Sequence, residues 1–271
     1  MKLKNIIFLS ALSISALVSS CKQQEVQPFT GETGVNFLGH DTTGKEWDTG
    51  TNFLSKEINF FDSLKLETFP LDAMEAPMRI AIEGKTPTRD LKIKLKALPV
   101  EGQEEAKVEL PEYVIVKSGE NHADFSVKLL APEPDQQPES VRIGVDYDNS
   151  DVVAGVKDRQ AFTFTLKDVA VKHYLDQVPE QKFIEAFEKH LGKYGPVKHR
   201  FAVAATKPVP PNSPAEIFTL KVAYSALYPS YPDYGLPSVL PLYRKALKEY
   251  NAKHLTPLKE ADGTLVEFPE N

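Results

Sequence analysis

The closest-spaced oxygen ligands in the chain lie in Asp146-Tyr147-Asp148-Asn149-Ser150-Asp151, where Asp146, Asp148 and Asp151 offer the carboxylates that a calcium loop uses. The run lacks the central glycine and the terminal glutamate of the full helix-loop-helix site. Asp and Asn also favour plain turns, because they bond their own backbone. A second concentration is aromatic. Tyr224 precedes Leu227-Tyr228-Pro229-Ser230-Tyr231-Pro232-Asp233-Tyr234-Gly235, a loop stiffened by prolines. Rings with a polar tip suit contacts that are wet on one side, so Tyr228, Tyr231 and Tyr234 are candidates to meet a glycan or a protein partner. The alternative is that they close the loop over the C-terminal helix. Trp47, the only tryptophan, stands in a polar stretch and reads as a ligand platform or as a cover for a sheet edge.

Catalytic patterns are missing from the sequence. His40, His122, His173, His190, His199 and His254 form no close pair and no His-Glu-x-x-His helix, and each is expected at a surface or interface. There is no Gly-x-Ser-x-Gly elbow, no phosphate-binding glycine loop and no dinucleotide fingerprint, and nothing calls for a cofactor. Carboxylate pairs for glycoside hydrolysis are set in three dimensions, but acids this dispersed read as solvated faces. With 32 Lys and Arg against 38 Asp and Glu, and both signs interleaved, the chain lacks the basic stripe that nucleic acid requires.

Cys21 is the only cysteine. Lys2 and Lys4 precede an apolar run from Ile6 to Val18, and the small residues Ser19 and Ser20 stand directly before the thiol, which is the pattern of a bacterial lipoprotein signal. The run is too short for a bilayer core that needs about 20 apolar residues. A lone thiol in an exported chain forms no internal disulfide, and lipidation at Cys21 gives it a purpose. Residues 1–20 are thus expected to be a signal peptide. Residues 21–33, polar and aperiodic, are expected to be a flexible tether to membrane lipid. The residue after Cys21 is Lys22 and not Asp, which by resemblance to enteric sorting rules gives no reason for inner-membrane retention, so the outer membrane is the expected location.

These candidates must be positioned by two kinds of element. From about residue 34 to 169, apolar and polar residues alternate, as in Met78 to Glu83, Leu91 to Lys96, Val141 to Asp146 and Phe162 to Lys167. Further strands are expected at Ile58 to Phe61, Glu112 to Val116 and Ala123 to Leu129. Period-two alternation in short segments between turns indicates antiparallel sheets, and here a two-sheet sandwich of immunoglobulin-like architecture. Residues 170–271 read as a small, mainly helical lobe, which makes the fold α+β. Phe183, Ile184, Phe187 and Leu191 share a helix face that ends at Gly192 or Gly195. Ser213-Pro214-Ala215-Glu216 starts a second helix, and Val239 to Tyr250 show three-and-four spacing in a third. A terminal hairpin is expected about Asp262-Gly263.

The lipobox cysteine, Phe60-Phe61-Asp62-Ser63, Leu191-Gly192-Lys193-Tyr194-Gly195-Pro196 through Phe201, and the ending Glu249-Tyr250-Asn251 with Pro257-Leu258 together resemble a family of Bacteroidetes lipoproteins catalogued as a domain of unknown function. The resemblance implies the company of an outer-membrane porin and its lid lipoprotein in a nutrient-uptake locus. The expected role is non-enzymatic ligand or partner binding. A structural or adhesive spacer and a lipid-anchored hydrolase are the alternatives.

Overall fold

A computed structural model describes residues 33–40, 47–48, 54–170 and 178–270. Cys21, the signal segment and the tether up to Glu32 lie outside the described residues. The fold is mixed α+β. The early strands are β1 (Gly34–His40), β2 (Trp47–Asp48), β3 (Ser55–Asn59), β4 (Ala73–Glu83), β5 (Leu91–Ile93), β6 (Leu95–Leu98) and β7 (Glu104–Glu105). Then come β8 (Val108–Glu109), β9 (Val114–Val116), β10 (His122–Leu130), β11 (Glu139–Val145), β12 (Val153–Ala154) and β13 (Ala161–Lys167). The helices are α1 (Glu180–Leu191), α2 (Pro196–Ala205), α3 (Pro214–Leu227) and α4 (Leu240–Lys253).

One sheet runs β12-β1-β4-β10-β8 with β2 on β1; another runs β3-β13-β11-β6 with β7 on β11; β5 and β9 form a pair. Alternation does what its period requires. Phe162, Phe164 and Leu166 of β13, and Met78 and Ile80 of β4, point into one apolar cluster to which both large sheets contribute. The antiparallel expectation holds for β1 with β4, β4 with β10, and β11 with both β13 and β6. It is corrected at three edges, where β12 runs parallel to β1, β3 to β13 and β7 to β11. Side-chain period reports which face is buried but carries no sign of strand direction.

The strand expected over Ile58 to Phe61 stops at Asn59. Phe60 to Ser63 turn as a 3-10 helix instead, because the two rings go to different places. Phe60 enters the sheet cluster, whereas Phe61 enters a second cluster with Leu64, Phe69 and the helices. Residues Thr33–Asn271 form one compact unit.

α1 follows its expected apolar face and ends at Gly192, whose φ of 77° is costly for any residue with a Cβ. α3 begins with the expected capping box: Glu216 N donates to the Ser213 hydroxyl at 3.2 Å, and Ser213 N donates to the Glu216 carboxylate at 2.7 Å. α4 also forms where its spacing places it. α2 was not foreseen. Lys198, His199, Phe201 and four consecutive residues from Ala202 are all buried, so this helix has no polar face to create a period. The terminal hairpin reduces to one isolated bridge, Lys259 with Leu265. Among the described residues, no helix is long and apolar enough to cross a membrane.

Candidate functional site

The tyrosines collect at the C-terminal end of α3. Tyr228 N donates to Tyr224 O at 2.8 Å to end the helix, and Tyr231 N donates to Tyr228 O at 3.0 Å. Short 3-10 turns follow at Pro232–Tyr234 and Leu236–Ser238. The loop is pressed onto α3 at one point. Leu236 N donates to the Ser225 hydroxyl at 2.8 Å, and a Cβ at Gly235 would run into that hydroxyl. Leu236, fully buried, fills the space beneath.

With Leu236 closing the loop, the rings are left outside. Tyr224, Tyr228, Tyr231 and Tyr234 are 44%, 51%, 61% and 62% exposed, beside the half-exposed Leu227. Tyr224 lies 5.7 Å from Tyr228 and 6.1 Å from Tyr234 between ring centroids. Three of the four thus make one continuous aromatic surface on a helix end, and Tyr231 extends from the same loop. Single exposed apolar residues need no explanation; here three exposed rings lie against one another on a helix end whose following loop is braced by Ser225 and Leu236.

Trp47 belongs to another part of the fold. On β2 it pairs with His40, and the Arg79 guanidinium lies 5.1 Å over its ring. Arg79 is itself held by Asp124 through two hydrogen bonds of 2.5 and 2.6 Å. Trp47 therefore joins a tier across the first sheet, apart from the tyrosines.

The structure does not gather Asp146, Asp148 and Asp151 around one point. Asp151 accepts from both terminal nitrogens of Arg89 at 3.1 and 3.3 Å and from Lys92 N at 2.9 Å. The Arg89 hydrogen bonds, with Lys92 N, hold its carboxyl below the ordinary carboxylate range. Asp146 accepts from Asn149 Nδ2 at 2.8 Å, and Ser150 donates to the Asp146 carbonyl at 2.6 Å. Asp148 is exposed. Among the described residues, no group of three or more His, Cys, Asp or Glu is placed to hold a metal ion. The segment works as a turn stitched to β5 and β6, the bland alternative that its composition allowed.

Three consecutive residues of α2 hold the helical half together, and His199 corrects the expectation that every histidine is superficial. Lys198 Nζ donates to the carbonyls of Leu191 at 3.0 Å and Lys193 at 2.8 Å, closing the end of α1, while burial lowers its pKa. His199 is enclosed by Phe61, Phe183, Phe187 and Phe218, with Nδ1 3.2 Å from the Tyr194 hydroxyl. Arg200 ties the helices to the end of β13: Nη1 donates to Asp168 Oδ1 at 2.5 Å and Nη2 to the Asp168 carbonyl at 3.1 Å. Burial pushes the Asp168 carboxyl up, against the opposing pull of Arg200. Val197-Lys198-His199-Arg200 carried no local signal for any of these roles.

No protein-family model matches the chain, and no curated protein matches it. Among solved structures, the chain is similar to the apo-form Calx CBD1 domain at 9% identity, over 51% of this chain and 97% of that one, with a TM-score of 0.31. It is similar to Bacteroides thetaiotamicron EndoBT-3987 with its Man5GlcNAc product at 14% identity, over 44% and 29%, with a TM-score of 0.31. A CARDB domain of a Pyrococcus furiosus protein, in complex with di-metal ions, gives 14% identity over 51% and 93% and a TM-score of 0.25. Likenesses of this size carry no argument about what the chain does.

Proposed function

We propose that this chain is a non-enzymatic binding protein, anchored by lipid at Cys21 to the outer membrane, that serves a nutrient-uptake system. In this reading its two large sheets form an immunoglobulin-like sandwich that supports the helices. The tyrosine surface of α3 and its following loop is the contact for a glycan or for the porin and lid lipoprotein of the uptake system. One observation carries the reading: four tyrosines stand exposed at the end of α3 and on the following loop, which Ser225, Gly235 and Leu236 fix to the helix. Exposed rings on a braced support bind with little ordering cost, because the support is already in place.

The test is capture of the lipidated protein from native membranes in mild detergent, with mass spectrometry of what stays bound, alongside a glycan array. Alanine at Tyr228, Tyr231 and Tyr234 together should remove the specific partner or glycan and leave the melting temperature in place. Undiminished binding by the triple variant would overturn the site. Replacement of Cys21 by alanine should move the protein from the membrane fraction to the soluble one.

A further inference from the structure

The loop entering β4 and the loop leaving β10 stand side by side, because Ala73 and Leu130 pair at that end of the sheet. Between these loops and the helices opens a cleft of about 490 Å³, a volume within the range of small-ligand pockets. Phe69, Pro70, Pro132 and Pro134 are in its lining, and Tyr250 of α4 meets Phe69 edge-on with ring centroids 5.9 Å apart. Asp168 and Arg200 are also in its lining, with side chains 9% and 12% exposed. Arg200 uses two of its N–H donors on Asp168 and has others left. Asp72, Glu133 and Lys259 border the cleft as well, and no ion pair engages them among the described residues.

We propose that this cleft binds a neutral saccharide. Its lining mixes acceptors, Asp72, Glu133 and Asp168, with donors, Arg200 and Lys259, around flat apolar and aromatic surfaces. An anion there faces Asp72 and Glu133, and a cation faces Lys259. The Asp168–Arg200 pair already balances its own charge. A polyhydroxylated ring carries no charge, each hydroxyl both donates and accepts, and the C–H face of the ring packs on Tyr250 or a proline. The cleft is separate from the tyrosine surface, and the proposal stands whether or not that surface binds anything.

The experiment is calorimetric titration of the full chain in a detergent without sugar headgroups. The probes are di- and trisaccharides of glucose, galactose, mannose and N-acetylglucosamine, with triglycine as a zwitterion of similar length. At least one sugar series should bind, with little dependence on salt because the ligand is neutral. Asp72→Asn and Glu133→Gln, both at exposed positions, should each weaken it about fivefold or more, roughly 1 kcal/mol. Their unchanged melting temperatures establish that the fold is intact. Silence from every sugar, or tighter binding of triglycine, overturns the proposal. So does sugar binding that is lost in Tyr228→Ala but kept in Asp72→Asn, a result that would instead favour the tyrosine surface as the sugar site.

Discussion

His199 is held in its neutral form by the protein around it. Burial among four phenylalanines is the main cause, the Arg200 charge adds to it, and the pKa is pushed down to about 3 from an ordinary 6.5. A histidine whose folded pKa is lowered takes up protons preferentially in the unfolded chain. Its contribution is therefore intact above about pH 6.5 and is lost as pH falls toward 3, at about 1.4 kcal/mol per pH unit. Urea denaturation at pH 7 and pH 5 should differ by about 2 kcal/mol from this residue. His199→Phe should flatten that difference; an equal slope in the variant would mean that other groups carry it. Asp168 and Arg200 give a second case. Arg200→Ala leaves a buried carboxylate without its cation and should destabilise by about 3 kcal/mol or more, whereas pairing it with Asp168→Leu should recover part of the loss. At this scale the tyrosine cluster was legible, since ring type and proline spacing are local. The burial of His199 was not, because the rings that enclose it come from positions 61, 183, 187 and 218.

At the scale of elements, the two helix starts differ in how far away their caps lie. α3 carries its own, so Ser213→Ala should cost about 1 kcal/mol in thermal or chemical unfolding. α2 borrows its cap from the far end of the chain. The Glu260 carboxylate accepts from Val197 N at 3.0 Å and Lys198 N at 2.9 Å, opposite the positive end of the helix dipole. Gly195 leaves the space for it, since a Cβ there would collide with that carboxylate. Glu260→Ala should cost about 1 kcal/mol. Gly195→Ala should do at least as much damage, and the double variant should fall well short of the sum because both changes disrupt one contact. This contrast accounts for what was readable: α1, α3 and α4 announce themselves by period and cap, while α2 is buried nearly all round and capped from a distance. The same holds for Phe60-Phe61, whose apolar character says that both are inside but not that they serve different cores.

For the whole molecule, the helices complete what the strand-rich part leaves open. Phe61, Leu64 and Phe69 precede β4 in the chain but are covered by helices that follow β13. A chain ending at residue 170 should therefore bind ANS and lose the sharp unfolding transition of the intact protein; a cooperative, ANS-silent fragment would show that the strand-rich part is self-sufficient. The abrupt change of texture after Lys167 made the two halves legible as segments, but the second cluster depends on side chains from both. The parallel edges have a further consequence, in time instead of space. β3 finds its partner on the order of a hundred residues later, when Thr163 to Lys167 come alongside Ser55 to Asn59, and β1 waits similarly for Val153. At about 5–20 residues per second of synthesis, the amino-terminal strands spend roughly 5 to 20 s without those neighbours. β1 already has β4 beside it by then, whereas β3 has only β13, so Ser55 to Asn59 are among the last strand residues to be paired and for that interval stay open to being held or cut.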